Sequence, residues 1–461
     1  MEKNVISLLK ELRAYALQKG LQAAIFYHEE DSYLMRFANS AISLNTNEHL
    51  IRLEINVYEG KKRATYSMIA DPEKLEPIKK GIDIAAEMVE HAQPLSYTPT
   101  LPRYERDVID MQAFDPFLAS LTNADRLAYF NQVARGLESN DVKLSGIFSN
   151  GITTTAQIST TSEHTQYFAC TDAQIEVVLA HQQLKWEVNA QQSAQAKVDL
   201  APERLHNDLA LMLHHYQHDQ ALQLPLGKYT VVFGPAAIGD VLDMLAMVGP
   251  NGGMMKRGYS FLSEEKLGQS VFSSLFTLID DPERRETFPL SYDLMGIPRK
   301  PFPLFEDGIF KAFYWEQDDA DEFGAQPTGH TVDHLNLSMA GGERLMPGLE
   351  ELLAMPRDED ILYIPYLHYM NIVNPSAGMI TGSSRFGNLL LKKDGSVQVP
   401  YNVRITQTFE DLFGENVEWL AREQSVHNTS NSYGKRNPSA ILLPRFLCVR
   451  GIEISHSNDS Y

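Results

Sequence analysis

Cysteine is almost missing from this 461-residue chain, which holds only Cys170 and Cys448. Two cysteines so far apart provide neither a disulfide framework nor a Cys-rich metal knuckle. Basic charge is short as well: 40 Lys and Arg face 60 Asp and Glu, a formal net charge of -20. Such a surface repels a phosphate backbone, so no nucleic-acid partner is expected and any connection to DNA would be indirect. No run of 18 apolar residues occurs, which excludes a spanning helix and a membrane partner. The first residues set Glu2 and Glu11 among Val5, Leu8, Leu9 and Leu12, the pattern of an amphipathic helix and not of a signal peptide. The expectation is a soluble, cytoplasmic protein. Also missing are a Gly-x-Ser-x-Gly elbow, a phosphate loop ending in Gly-Lys-Ser/Thr, and any low-complexity tract.

What is present suits large cores. Apolar residues make up 43% of the chain and aromatic residues 10%, and the length calls for two or three domains. A helix is predicted over residues 4–18, then short strands at 23–27, 33–37, 41–45, 50–58 and 64–68, and a helix opened by Asp71 and Pro72. A Pro-rich, polar stretch at 92–116 reads as a linker. Beyond it come a helix at 124–137, strands near 143–149, 152–160, 164–170 and 174–188, and a helix at 202–222. From Gly227 the chain is again strand-rich, with Gly and Pro at many turns. The predicted fold class is α+β and multi-domain, with antiparallel and mixed sheets and flanking helices. Its expected divisions are an N-terminal unit at 1–95, a central region at 96–222 and a β-rich C-terminal domain at 223–461.

Several constellations could carry chemistry. His214 and His218 fall one turn apart on the helix at 202–222, a spacing that can hold zinc or simply mark a polar face; the Glu of a His-Glu-x-x-His base is missing. His330 and His334 repeat the spacing among glycines, where a metal, a peptide-contacting loop or plain surface are all open. Asp280 and Asp281 end a predicted strand at 271–279 and, pointing to opposite faces, read as a structural turn and not a shared-proton dyad. Asp240 and Asp243 share a face of the helix after the strand at 229–233, a face expected to meet solvent. Thr381, Ser383, Ser384, Arg385 and Asn388 form the densest polar, Gly-permitted cluster, read as a turn facing a peptide substrate or partner, or a hairpin that needs glycine.

Taken in order, the blocks at 227–235 (GKYTVVFGP), 266–272 (KLGQSVF), 278–282 (LIDDP), 327–336 (PTGHTVDHLN), 348–353 (GLEELL), 379–387 (MITGSSRFG) and 394–400 (DGSVQVP) resemble the TldD/PmbA family. That resemblance implies a relative of zinc peptidases acting on small or unfolded peptides, long labelled modulators of DNA gyrase. Catalytic members carry His-Glu-x-x-x-His where this chain reads AAIGDV at 236–241, so Ala236, Ala237 and Val241 fall at the places of two zinc ligands and the general base. The third ligand, a cysteine, is matched near NSYGKR at 431–436, and Cys448 lies beyond it in an apolar run read as core. The blocks at 382–385 (GSSR) and 292–296 (YDLMG) depart from the family's usual Gly-Asp-Phe-Ser and Asp-Glu-Gly.

The pattern is similar to the PmbA (TldE) branch. It implies a subunit with no catalytic residues, metal or cofactor of its own, paired with a TldD-like catalytic subunit around a peptide substrate, or a homodimer when alone. Competing readings are an independent metallopeptidase using one of the histidine pairs, and a stand-alone peptide-binding or regulatory protein.

Overall fold

The structure is a computed structural model that describes residues 2–218, 221–430 and 434–457, with the side chain of His218 outside the description. It is a mixed α+β, multi-domain fold built on three sheets.

The first sheet has seven strands. Its first three are β1 (Gln22–Ala38), β2 (Ala41–Glu59) and β3 (Lys62–Ile69), followed by β4 (Val108–Asp110), β5 (Val142–Ser159), β6 (Thr165–His181) and β7 (Glu187–Ala194). Where residues 28–32 separate two predicted short strands, the structure has one long strand. The polar residues find partners inside the fold: Arg52 reaches Glu30 at 3.1 Å, and Tyr27 donates to Glu29 at 2.8 Å. The predicted pairs at 41–45 and 50–58, and at 143–149 and 152–160, likewise merge into β2 and β5.

β1 pairs antiparallel with β5, from Ala24 opposite Ser159 to Phe37 opposite Gly146. The amino-terminal and central segments therefore share one sheet. Helix Glu2–Gln18 buries Val5, Leu8, Leu9, Leu12 and Ala16 at helical spacing. The helix Leu75–His91 lies against β2 and β3 through Ile78, Gly81, Ile82, Ala85 and Val89. A Cβ at Gly81 would come within 2.9 Å of Met68 Sδ and 3.3 Å of Ile55 Cδ1, so glycine sets that close approach.

The carboxyl half holds the other two sheets. The six-stranded sheet contains β9 (Leu278–Asp280), β10 (Phe302–Glu306), β11 (Ile309–Phe310), β12 (Leu337–Met339), β20 (Gln424–Asn428) and β21 (Ala440–Pro444). The nine-stranded sheet is centred on β8 (Gly227–Phe233), which runs antiparallel to β22 (Leu447–Ser457) and parallel to β13 (Ile361–Ile364). Beyond β22 the sheet continues through β18 (Val403–Thr408) and β15 (Met379–Arg385) to the edge strand β14 (Tyr366–Asn374); beyond β13 it continues through β16 (Leu389–Leu391) to β17 (Val397–Gln398), and β19 (Val417–Leu420) also pairs with β22. Paired on both sides, β8 buries Val231, Val232 and Phe233 on both faces, so it reads as an unbroken apolar run. One core cluster joins Phe37, Phe148 and Ile175 of the first sheet to Leu205 and Leu209 of helix Pro202–His218 and to Val232, Leu389 and Phe446. That shared core fixes the first sheet against the carboxyl half.

Candidate functional site

β8 leads through Gly234 into the helix Pro235–Val248. Proline at the first helical position suits a start where no N–H is needed, and a Cβ on Gly234 would meet Pro365 Cα at 3.0 Å. The helix is apolar on nearly every side. Ala236 and Val241 are 5% and 4% exposed and Ala237 is fully buried. Two methyl groups and an isopropyl group offer no lone pair, so the side chains at these three places do not fit a zinc ion.

What approaches the helix is His427 of β20. Its Nε2 lies 2.9 Å from Asp240 Oδ1, and its ring packs so closely that a Cβ on Gly239 would fall 2.2 Å from Cδ2. Asp240 is thus engaged on one side, while Asp243 faces solvent. Nothing in the sequence pointed to His427, which meets its partner across 187 positions of chain. Of residues 431–436, where the resemblance matches a cysteine ligand, residues 431–433 lie outside the described residues. Cys448 is buried, and burial pushes its thiol up to about 12, so it stays protonated at neutral pH.

The histidine pairs are placed differently. On helix Pro202–His218, His214 is exposed and its ring meets that of His215 edge-on at 5.3 Å. His330 is buried in an ionic cluster around Asp280, with Nε2 2.9 Å from Asp280 Oδ2 and Nδ1 2.9 Å from Thr328 Oγ1. Arg299 Nη2 donates to both Asp280 oxygens at 2.8 and 2.7 Å, and Asn336 N–H donates to Oδ1 at 2.5 Å. Burial pushes the Asp280 carboxyl up, but Arg299, His330 and the Asn336 N–H outweigh it and hold it below the usual range. Asp281 turns the other way, accepting from Glu283 N–H at 3.0 Å and Arg284 Nε at 3.2 Å. Of the predicted strand at 271–279 only residues 278 and 279 fall in β9, which runs on to Asp280.

The stretch read as a turn at 381–385 is instead part of β15, because β14 and β18 flank it and take its hydrogen bonds. Thr381 Oγ1 donates to Ile405 O at 3.0 Å. Ser384 Oγ accepts from Val403 N–H at 2.8 Å and from Asn388 Nδ2 at 2.6 Å, and Asn388 is fully buried. Arg385 bonds Glu187 Oε2 at 3.0 Å, and Ser383 accepts from Arg404 at 3.1 Å; these two side chains alone in the group stay part-exposed.

A cavity of about 280 Å³ opens between the first sheet and loops of the carboxyl half. Phe26, Thr155 and Phe168 form one wall, and Phe288, Leu290 and Met295 form the other. Arg63 at its rim makes a two-pronged bond to Asp318 at 2.8 and 2.6 Å, tying β3 to the carboxyl half. His28 and His334 also line it. Burial, then Arg299, lowers His334 to about 4, and burial lowers His28 despite Glu30 beside it. Both rings are neutral near pH 7 and each keeps a nitrogen able to accept a hydrogen bond. Apolar walls with a few convergent polar groups suit a short, extended organic chain. Next to the cavity, Arg436 is clamped to Asp172 at 2.7 and 2.6 Å and to Ser149 Oγ at 3.0 Å, while its N–H donates to Glu30.

A match to the PmbA/TldA metallopeptidase C-terminal domain covers residues 226–456 and so includes the junction helix, β20 and the Asp280 cluster. The chain belongs to the TldD/PmbA family. Its fold is similar to that of TldE from Thermococcus kodakarensis, with a TM-score of 0.78 at 15% identity over 98% of this chain and all of the other. A protein of Thermotoga maritima described as a proposed modulator of a DNA gyrase aligns with a TM-score of 0.75 at 17% identity, over 97% of this chain and 99% of the other. A similarly described protein of Bacteroides thetaiotaomicron gives 0.77 at 16%, over 97% and 98%. By sequence, a metalloprotease of Methanothermobacter thermautotrophicus is 27% identical over 106 residues, 23% of this chain and 23% of that protein. No helix among the described residues is long and apolar enough to cross a membrane.

Proposed function

We propose that this chain is the TldE/PmbA-type, metal-free subunit of a cytoplasmic peptidase of the TldD/PmbA family, working with a TldD-like catalytic subunit on small or unfolded peptides. The observation that carries this reading is the junction helix. The helix lies inside the segment that matches the family domain, yet Ala236, Ala237 and Val241 are packed into apolar surroundings where a metal helix needs donors. A zinc ion held without two of its three protein ligands loses most of its affinity and its activated hydroxide. In this reading the role of the chain is to bind and shape. The cavity of about 280 Å³ holds a segment of peptide, with the neutral rings of His28 and His334 accepting from its backbone N–H groups. No catalytic step is assigned to either ring.

Expression of this chain with a TldD-like protein tests the pairing. A stable complex that cleaves an unfolded peptide, with neither chain cleaving alone, supports the reading. Failure to associate at micromolar concentration, together with full activity of the partner alone, contradicts it.

A further inference from the structure

A second, smaller pocket of about 100 Å³ lies at the start of the junction helix, where Pro235 and Ala236 form part of its lining. Its charged side chains are Arg204 and Asp208, one turn apart on helix Pro202–His218, and Arg445, which follows β21. Arg445 is paired, with Nη2 3.2 Å from Asp208 Oδ2. Arg204 makes no ion pair among the described residues, and its Nε is buried without a hydrogen bond. Burial, then the neighbouring Arg445, works against its charge. A guanidinium does not release its proton, so the pocket carries two positive charges against one negative, with a buried donor left unused. The helix start adds to this. Ala237 N–H donates to Pro365 O at 3.3 Å, while the Ala236 N–H has no backbone acceptor among the described residues. Asn189 and Gln191 of β7 contribute neutral polar groups to the same lining.

We propose that Arg204, Arg445 and the first turn of the helix Pro235–Val248 form a carboxylate site that receives the C-terminal carboxylate of a peptide. The charge, the unused donor and the small volume call for a compact oxyanion. The peptide reading above supplies only the source of that carboxylate. A two-oxygen group accepts from the Arg204 fork and completes a pocket that Asp208 neutralises only in part.

The test uses the intact chain and three probes: N-acetyl-trialanine with a free carboxylate, the same peptide as its C-terminal amide, and inorganic phosphate, each titrated by calorimetry. The acid is expected to bind at least about tenfold more tightly than the amide, the scale of one charged hydrogen-bond pair. Arg204→Gln should abolish that difference, and Asp208→Asn should strengthen acid binding by removing the competing acceptor. Equal binding of acid and amide overturns the proposal, as does a folded Arg204→Gln protein that still discriminates. Phosphate binding that depends on Arg204, without acid-over-amide preference, overturns the peptide source and leaves an inorganic-anion pocket. Should Arg204→Gln not fold, the acid and amide comparison and Asp208→Asn decide. Failure of the subunit reading is separate: it shows as no complex with a TldD-like chain while acid discrimination persists.

Discussion

Replacing Asp280 with asparagine keeps shape and removes charge at the most enclosed ionic group of the family domain. Asp280 and Arg299 have side chains 0% and 1% exposed. Asparagine leaves the Arg299 guanidinium buried without its counter-ion, and its amide nitrogen cannot accept the bond that one carboxylate oxygen accepted. Breaking one side of a buried pair in this way costs about 3–5 kcal/mol. The assay is chemical denaturation followed by tryptophan fluorescence, comparing midpoints at a common slope. A second arm uses pH. The folded Asp280 carboxyl is held below its unfolded value, so its contribution is full above the unfolded carboxylate range and is lost as pH falls through the folded pKa. The native protein should therefore lose stability more steeply on acidification below about pH 4 than Asp280→Asn does. A destabilisation under about 1 kcal/mol with parallel acid limbs would refute the claim that this cluster holds the fold.

Other outcomes follow from the same geometry. Gly239→Ala drives a methyl group into the His427 ring, where the gap is 2.2 Å; a loss of about 1–3 kcal/mol is expected, seen as a lowered denaturation midpoint. Arg436→Met strands the Asp172 carboxylate, 3% exposed, and unties the chain beside the cavity; a loss of about 3–5 kcal/mol and faster proteolysis near residue 436 are expected. An NMR titration of His334 should stay flat from neutral pH down to about 5 and turn near its depressed value of about 4. Because that folded value lies below the unfolded one, the neutral ring adds stability above about pH 6.5 that fades as pH falls towards 4, and His334→Asn should flatten this part of the profile.

The junction was legible because it is local. An apolar run, glycine, proline and an apolar helix follow one another in sequence, and the family pattern turned the helix into three named places, Ala236, Ala237 and Val241. The fold class was legible for a similar reason, since alternating patterns and turn residues repeat along both halves. What sequence reasoning missed depends on partners far along the chain. Residues 28–32 fall between two predicted strands, yet they continue one strand in which Glu30 is met by Arg436 from 406 positions away. Gly382 and two serines looked like a turn. They lie in a strand whose neighbours take up the hydroxyls, and Gly382 sits where a Cβ would be 3.0 Å from Met370 Cγ. His427, Arg204 and Arg445 leave no spacing signal, because the β20–β21 pairing and the packing of helix Pro202–His218 bring them together from distant parts of the chain.

In the proposed reading this chain keeps the fold of its family without a metal centre of its own. That reading is met most directly by measuring zinc by inductively coupled plasma mass spectrometry, in protein purified alone and dialysed against buffered micromolar zinc. Well under one zinc per chain and no chelator-sensitive peptide cleavage are expected. One zinc per chain, retained through dialysis and required for cleavage, would contradict it.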